Sequence, residues 1–107
     1  MYSGEMLRAL VLPLVLSIFI VGPASAGEFE DAEAVLQAGE YAEARKLFMS
    51  LAEKGHPRAQ NALGWMYRLG QGVSKNEQQA FSWFMKAAEQ GLAVAQLQVG
   101  VRYRSGL

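Results

Sequence analysis

No cysteine occurs among the 107 residues, so neither a disulfide framework nor a thiolate metal site is available and the fold must be held by packing alone. An oxidising compartment stays open on this ground. An excess of charge of either sign is also missing, with ten Lys and Arg against ten Asp and Glu. Nucleic acid is therefore not an expected partner, since a phosphate binder needs clustered cations that release counterions. Histidine is nearly absent as well. His56 stands alone beside Pro57, the acids of the first predicted helix offer it no ligand spacing, and no metal or other cofactor is expected. Neither Ser-x-x-Lys nor Gly-x-Ser-x-Gly is present, and no triad can be assembled around His56, which reads as an inter-helix turn residue. The chain is not expected to be an enzyme. The longest apolar run, Ala9 to Val21, would span about 20 Å as a helix, short of the roughly 30 Å hydrocarbon core of a bilayer.

What that run does fit is a secretory signal. Arg8 precedes it, Gly22 and Pro23 break it, and Ala24-Ser25-Ala26 supplies the small residues of a cleavage site. Residues 1–26 are thus expected to be a signal peptide cut after Ala26, giving a periplasmic or secreted protein. The alternative is a retained membrane anchor, which Glu5 favours by diluting the positive charge ahead of the run. Translation could also begin at Met6, because Met6-Leu7-Arg8 makes a complete charged region by itself. Beyond Gly27 the acids Glu28, Glu30, Asp31, Glu33, Glu40 and Glu43 all precede Arg45. They read as the solvated face of a first helix with acids near its positive end, not as a recognition tail.

The remainder repeats with a spacing of 36. Twelve identities align without a gap: Ala44/Ala80, Phe48/Phe84, Met49/Met85, Ala52/Ala88, Glu53/Glu89, Gly55/Gly91, Ala59/Ala95, Gln60/Gln96, Gly64/Gly100, Tyr67/Tyr103, Arg68/Arg104 and Gly70/Gly106. A period of this length marks a repeat architecture whose units bury their apolar faces only by stacking. The unit is helical, because Ala59, Leu63, Gly64 and Tyr67 share one stripe, as do Ala80, Trp83, Phe84, Ala87 and Ala88. Five helices are predicted, at 29–38, 41–54, 57–69, 77–90 and 93–103. Gly64 and Ala59 should admit a close neighbour, Tyr67 and Phe84 should fill the gaps, and Gly55 and Gly91 should end helices through left-handed residues. Pro57 suits a first helical turn, where no amide hydrogen bond is lost.

These residues resemble the Sel-1-like repeat family, relatives of the tetratricopeptide repeats. The resemblance rests on Ala59, Leu63-Gly64, Tyr67, Gly70-Gln71-Gly72-Val73, Gln79-Ala80, Trp83-Phe84, Lys86-Ala87-Ala88, Gly91 and Ala95. One repeat is complete, and Tyr41 to Gly55 looks like the second helix of a more tetratricopeptide-like unit. The Asp common after the Gly-Val turn is replaced, with Asn76 the nearest candidate for its capping role. The second copy stops at Gly106-Leu107 before its own second helix. The resemblance implies an all-α fold, a short α-solenoid of about two and a half antiparallel helix pairs over residues 27–107. It also implies a protein-binding scaffold whose specificity lies on the concave face formed by the first helix of each pair. Cysteine-rich secreted members have been described as penicillin binders or weak β-lactamases, but the paired cysteines of those members are absent here.

Helical spacing supplies candidate binding residues independently of the resemblance. Opposite the packing stripe lie Arg58, Asn61, Trp65 and Arg68, with repeat mates Val94, Leu97, Val101 and Arg104. Aromatic and guanidinium groups together are the composition of binding hot spots. The plainer reading, that Trp65 packs on a neighbouring repeat and the arginines are solvated, is left open by the sequence. A protein or peptide partner is expected on the face bearing Arg58, Asn61, Trp65, Arg68, Leu97, Val101 and Arg104. The last helix carries Val94, Leu97, Val99, Val101 and Tyr103 around much of its circumference. It reads as an internal helix, to be covered by a homo-oligomer, by a partner, or by more chain if the sequence is a piece of a longer protein.

Overall fold

The computed structural model describes residues 24–104 and Gly106, with side chains from Gly27 onward. The expected signal peptide, residues 1–26, lies outside the described side chains. Five helices follow in order: α1 Ala24–Gln37, α2 Tyr41–Glu53, α3 Pro57–Leu69, α4 Glu77–Glu89 and α5 Ala93–Arg104. Among the described residues there is no strand, and no helix is long and apolar enough to cross a membrane. Four of the five predicted helices agree to within a residue at each end. The first differs: α1 begins at Ala24 and not at Phe29, since two alanines and a serine extend a helix at little cost and one interior glycine costs only about 1 kcal/mol.

Each helix packs mainly on its sequence neighbours, as expected of a solenoid, and α3 against α4 shares the most extensive surface. The hairpin turns repeat one chemistry. At the end of α2, Gly55 takes φ +94°, its amide donates to Ala52 O at 3.0 Å, and the His56 amide donates to Leu51 O at 3.1 Å. At the end of α4, Gly91 takes φ +91°, with the matching bonds from Gly91 to Ala88 O and from Leu92 to Ala87 O. A left-handed residue with this pair of bonds satisfies carbonyls that a helix end would leave orphaned, and only glycine adopts it without strain.

His56 is a helix cap: its Nδ1 accepts from the Ala59 amide at 3.2 Å, and its ring stacks on Phe29 at 5.1 Å between centroids. Asn76 caps α4 in the same way, its Oδ1 accepting from the Gln79 amide at 3.0 Å. The replacement of the usual Asp therefore leaves a working cap.

Two contacts fix how α4 seats on α3. Gly64 lies under the Phe84 ring so closely that a Cβ there would sit 2.6 Å from Phe84 Cε1. Phe84 is wholly buried, as are Phe48, Leu63 and Met66, and Phe29 and Leu51 are nearly so. Six residues beyond Phe84, Gln90 Nε2 donates to Gln60 Oε1 and to Gly55 O, both at 2.9 Å. Gln60 itself, only 6% exposed, donates from Nε2 to Ala52 O at 3.1 Å. A buried amide is tolerated because both ends are paired.

Replacing Gly64 by leucine should lower stability by about 1–3 kcal/mol, because the side chain must displace the Phe84 ring. Chemical denaturation of Gly64→Leu with an unchanged midpoint would remove this packing from the account. Losing the α3 cap in His56→Ala should cost about 1 kcal/mol, while His56→Asn should retain most of it, compared by the same unfolding curves.

Candidate functional site

Alternate helices of the stack present their outer stripes to one side, and there they bound a groove of about 500 Å³. From α1 come Phe29, Glu33 and Leu36; from α3 come Arg58, Asn61, Ala62, Trp65 and Leu69; Gln71, Leu92 and Val94 close the ends. The volume lies within the range of ordinary ligand clefts, and the lining is mostly apolar with a few polar groups, as such clefts usually are.

Three of the predicted binding residues meet in it. Arg58 is held over the Phe29 ring at 4.2 Å and lies 3.9 Å from a Glu30 carboxylate oxygen, with more than half of its side chain in solvent. Trp65 stands edge-on to Phe84 with centroids 5.6 Å apart, and about a third of it remains exposed. Both readings of Trp65 thus describe part of it, one edge packed on the next helix and the remainder lining the groove. Asn61 lines the wall between them, and its Oδ1 is buried without a hydrogen bond from the protein. An unsatisfied buried acceptor is costly, so a turn of the Asn61 amide that brought Oδ1 to a donor in the groove would be favourable.

Arg68 occupies a different place from the exposed stripe position expected of it. Its Nε binds Glu77 Oε1 at 3.0 Å, its Nη1 donates to Gln98 Oε1 at 2.7 Å, and its guanidinium carbon lies 4.9 Å from the Phe84 ring centre and 5.3 Å from that of Trp65. With 23% of its side chain exposed, it clamps α3, α4 and α5 together and backs Trp65. The physical reason is that the next helix pair covers this end of α3. Leu97, Val101 and Arg104 do not line the groove, and all three are exposed on α5. Val94 does reach it.

Sequence reasoning missed the α1 wall. Three residues join α1 to α2 where seven join α3 to α4, so α1 falls out of the 36-residue register and its residues have no aligned mates. The readable signal was the stripe Phe29, Ala32, Leu36, at helical spacing, in which Phe29 and Ala32 are buried. Among the described residues no His, Asp and Glu groups converge as metal ligands.

Arg68→Ala should lower stability by about 1 kcal/mol or more, since it removes a partly buried ion pair and a cross-helix hydrogen bond. Arg58→Ala should change it by less than about 0.5 kcal/mol. Equal unfolding midpoints for the two variants would show that Arg68 is not a clamp.

The Sel1 repeat profile matches residues 57–92, which cover α3, α4 and the turn that follows. Protein sel-1 homolog 2 from Mus musculus is 42% identical over 62 residues, 58% of this chain and 9% of the relative, and the protein of that name from Homo sapiens matches equally. The chain therefore spans about a tenth of the length of these relatives. The crystal structure of a Sel1 repeat protein from Oxalobacter formigenes shares the fold with a TM-score of 0.66 and 38% identity, over 71% of this chain and 31% of that one. Folds of this kind serve generally as protein–protein interaction modules and non-catalytic adaptors. With its repeat matched by profile, by relatives and by a solved fold, the chain is a Sel1-like repeat protein.

Proposed function

We propose that this protein is an exported adaptor that binds an extended, largely apolar segment of a partner protein in the groove between α1, α3 and the start of α5. The observation that carries the reading is the convergence, in one cleft of about 500 Å³, of an aromatic face, a guanidinium and an unsatisfied amide oxygen. Apolar side chains of the segment would lie against Trp65, Leu36, Leu69 and Val94, and its backbone amides would offer Asn61 the missing donor. Arg58, the exposed cation at the Phe29 side, would meet an acidic group on the partner.

Export is supported by the order Arg8, apolar run, Gly-Pro break and Ala24-Ser25-Ala26. Cleavage after Ala26 would shorten α1 by three residues while leaving Phe29 and Ala32, its buried residues, in place. Mass measurement of the protein recovered from the periplasm should find Gly27 at the N-terminus. An intact N-terminus in the membrane fraction would instead make the segment an anchor.

Peptides selected from a display library against the domain should be rich in apolar residues. Their affinity should fall about tenfold, or roughly 1.4 kcal/mol, in Trp65→Ala and in Asn61→Ala, and stay within twofold in Lys75→Ala, whose side chain is outside the groove. A loss confined to Lys75 and the neighbouring loop would move the binding face away from α1 and α3.

A further inference from the structure

Six acids precede Arg45, and the structure separates one of them from the rest. Glu28, Glu30, Asp31, Glu40 and Glu43 are exposed, whereas Glu33 is half-buried, and it alone of the six lines the groove. Helical pitch puts it there. Phe29 and Ala32 are buried, Leu36 lines the groove, and Glu33 shares their side of α1, four residues after Phe29 and three before Leu36. Its carboxylate has no counterion. Arg58, the cation of the groove lining, reaches Glu30 at 3.9 Å, and among the described residues Glu33 takes part in no ion pair and no hydrogen bond. Two carboxylates thus share one guanidinium, and the surplus negative charge sits in the groove wall between two apolar side chains. Unlike Asn61 Oδ1, the Glu33 oxygens keep contact with solvent, so a ligand reaches them without rearrangement. A charged side chain drawn part-way out of water loses hydration that a bound cation would replace.

We infer that the partner segment bound in the groove carries a basic side chain that pairs with Glu33, with arginine preferred over lysine. This rests on the groove being the binding site and adds the charge of what it takes. The surplus carboxylate sets the sign. The apolar walls set the preference, because a guanidinium is more weakly hydrated than an ammonium and its planar fork meets both carboxylate oxygens at once. Trp65, on the opposite wall, offers a ring that a guanidinium also favours. The order of charges follows from α1. Arg58 is held over Phe29; Glu33 lies about 6 Å further along the helix axis and Leu36 about 4.5 Å beyond that, at roughly 1.5 Å per residue. Alternate residues of an extended chain are about 6.6 Å apart and point to the same side. The segment therefore runs acidic, any, basic, any, apolar along α1, with its acid at Arg58.

The test selects peptides from a random display library on the 107-residue chain and on its variants Glu33→Gln and Glu33→Lys. Peptides whose binding Trp65→Ala weakens should carry arginine or lysine two positions from an apolar residue. In fluorescence anisotropy their affinity should fall about tenfold in Glu33→Gln and stay within about twofold in Asp31→Asn, which alters an exposed acid of the same helix outside the groove. Selection on Glu33→Lys should return an acidic residue in place of the basic one. Because Glu33 bonds to nothing in the described structure, both of its variants should melt with the parent, so a loss of binding reads the charge and not unfolding. Peptides that need Trp65 but carry no basic residue, or whose binding is indifferent to Glu33→Gln, overturn this inference and leave the groove reading in place. Selections that return no peptide dependent on Trp65 overturn both.

Discussion

The stack depends on one close approach, that of the Phe84 ring to the backbone of α3 at Gly64. A ring lying on bare helix draws the two axes together, and that proximity lets the remaining contacts form. Gln90 can then reach Gln60 and Gly55, Arg68 can span from α3 to Glu77 and Gln98, and Trp65 can set its edge against Phe84. None of these polar contacts would stabilise much alone, since each replaces hydrogen bonds to water. They act as a register, fixing the rotation of α4 once apolar burial has brought it in. The wall of the groove inherits that rotation through Trp65 and the arginine behind it.

Much of this was legible in the residues. Small side chains at Ala59 and Gly64, large ones at Phe48 and Phe84 and glycines at Gly55 and Gly91 recur at one spacing, and helical periodicity converts that recurrence into faces and turns. Boundaries of α2 to α5 followed because glycine, proline and Asn76 punctuate them. The start of α1 was not legible, because Ala24-Ser25-Ala26 satisfies a cleavage pattern and helix propensity equally well.

The site was only half legible for a related reason. Periodicity places Arg58, Asn61, Trp65 and Arg68 on one face of an isolated helix, but it cannot tell which of them the next helix will take. Arg68 is taken, by an acid nine residues along the chain and an amide thirty residues along. The groove's other wall was hidden by a shorter connection that breaks the repeat spacing. Faces are properties of single helices, whereas clefts are properties of their stacking.

Because the described helices pair mainly with those adjacent in the sequence, their core forms without bringing distant elements together. Loop-closure entropy is small at each step, and topologies of this kind belong among the rapid folders. Assembly can also be directional. A chain emerging N-terminus first, from a ribosome or through a narrow pore, could close α1 on α2 and then add each later helix to a finished surface. Long unpaired stretches would not accumulate behind it, a useful property for a small domain with no disulfide to hold a partly built core.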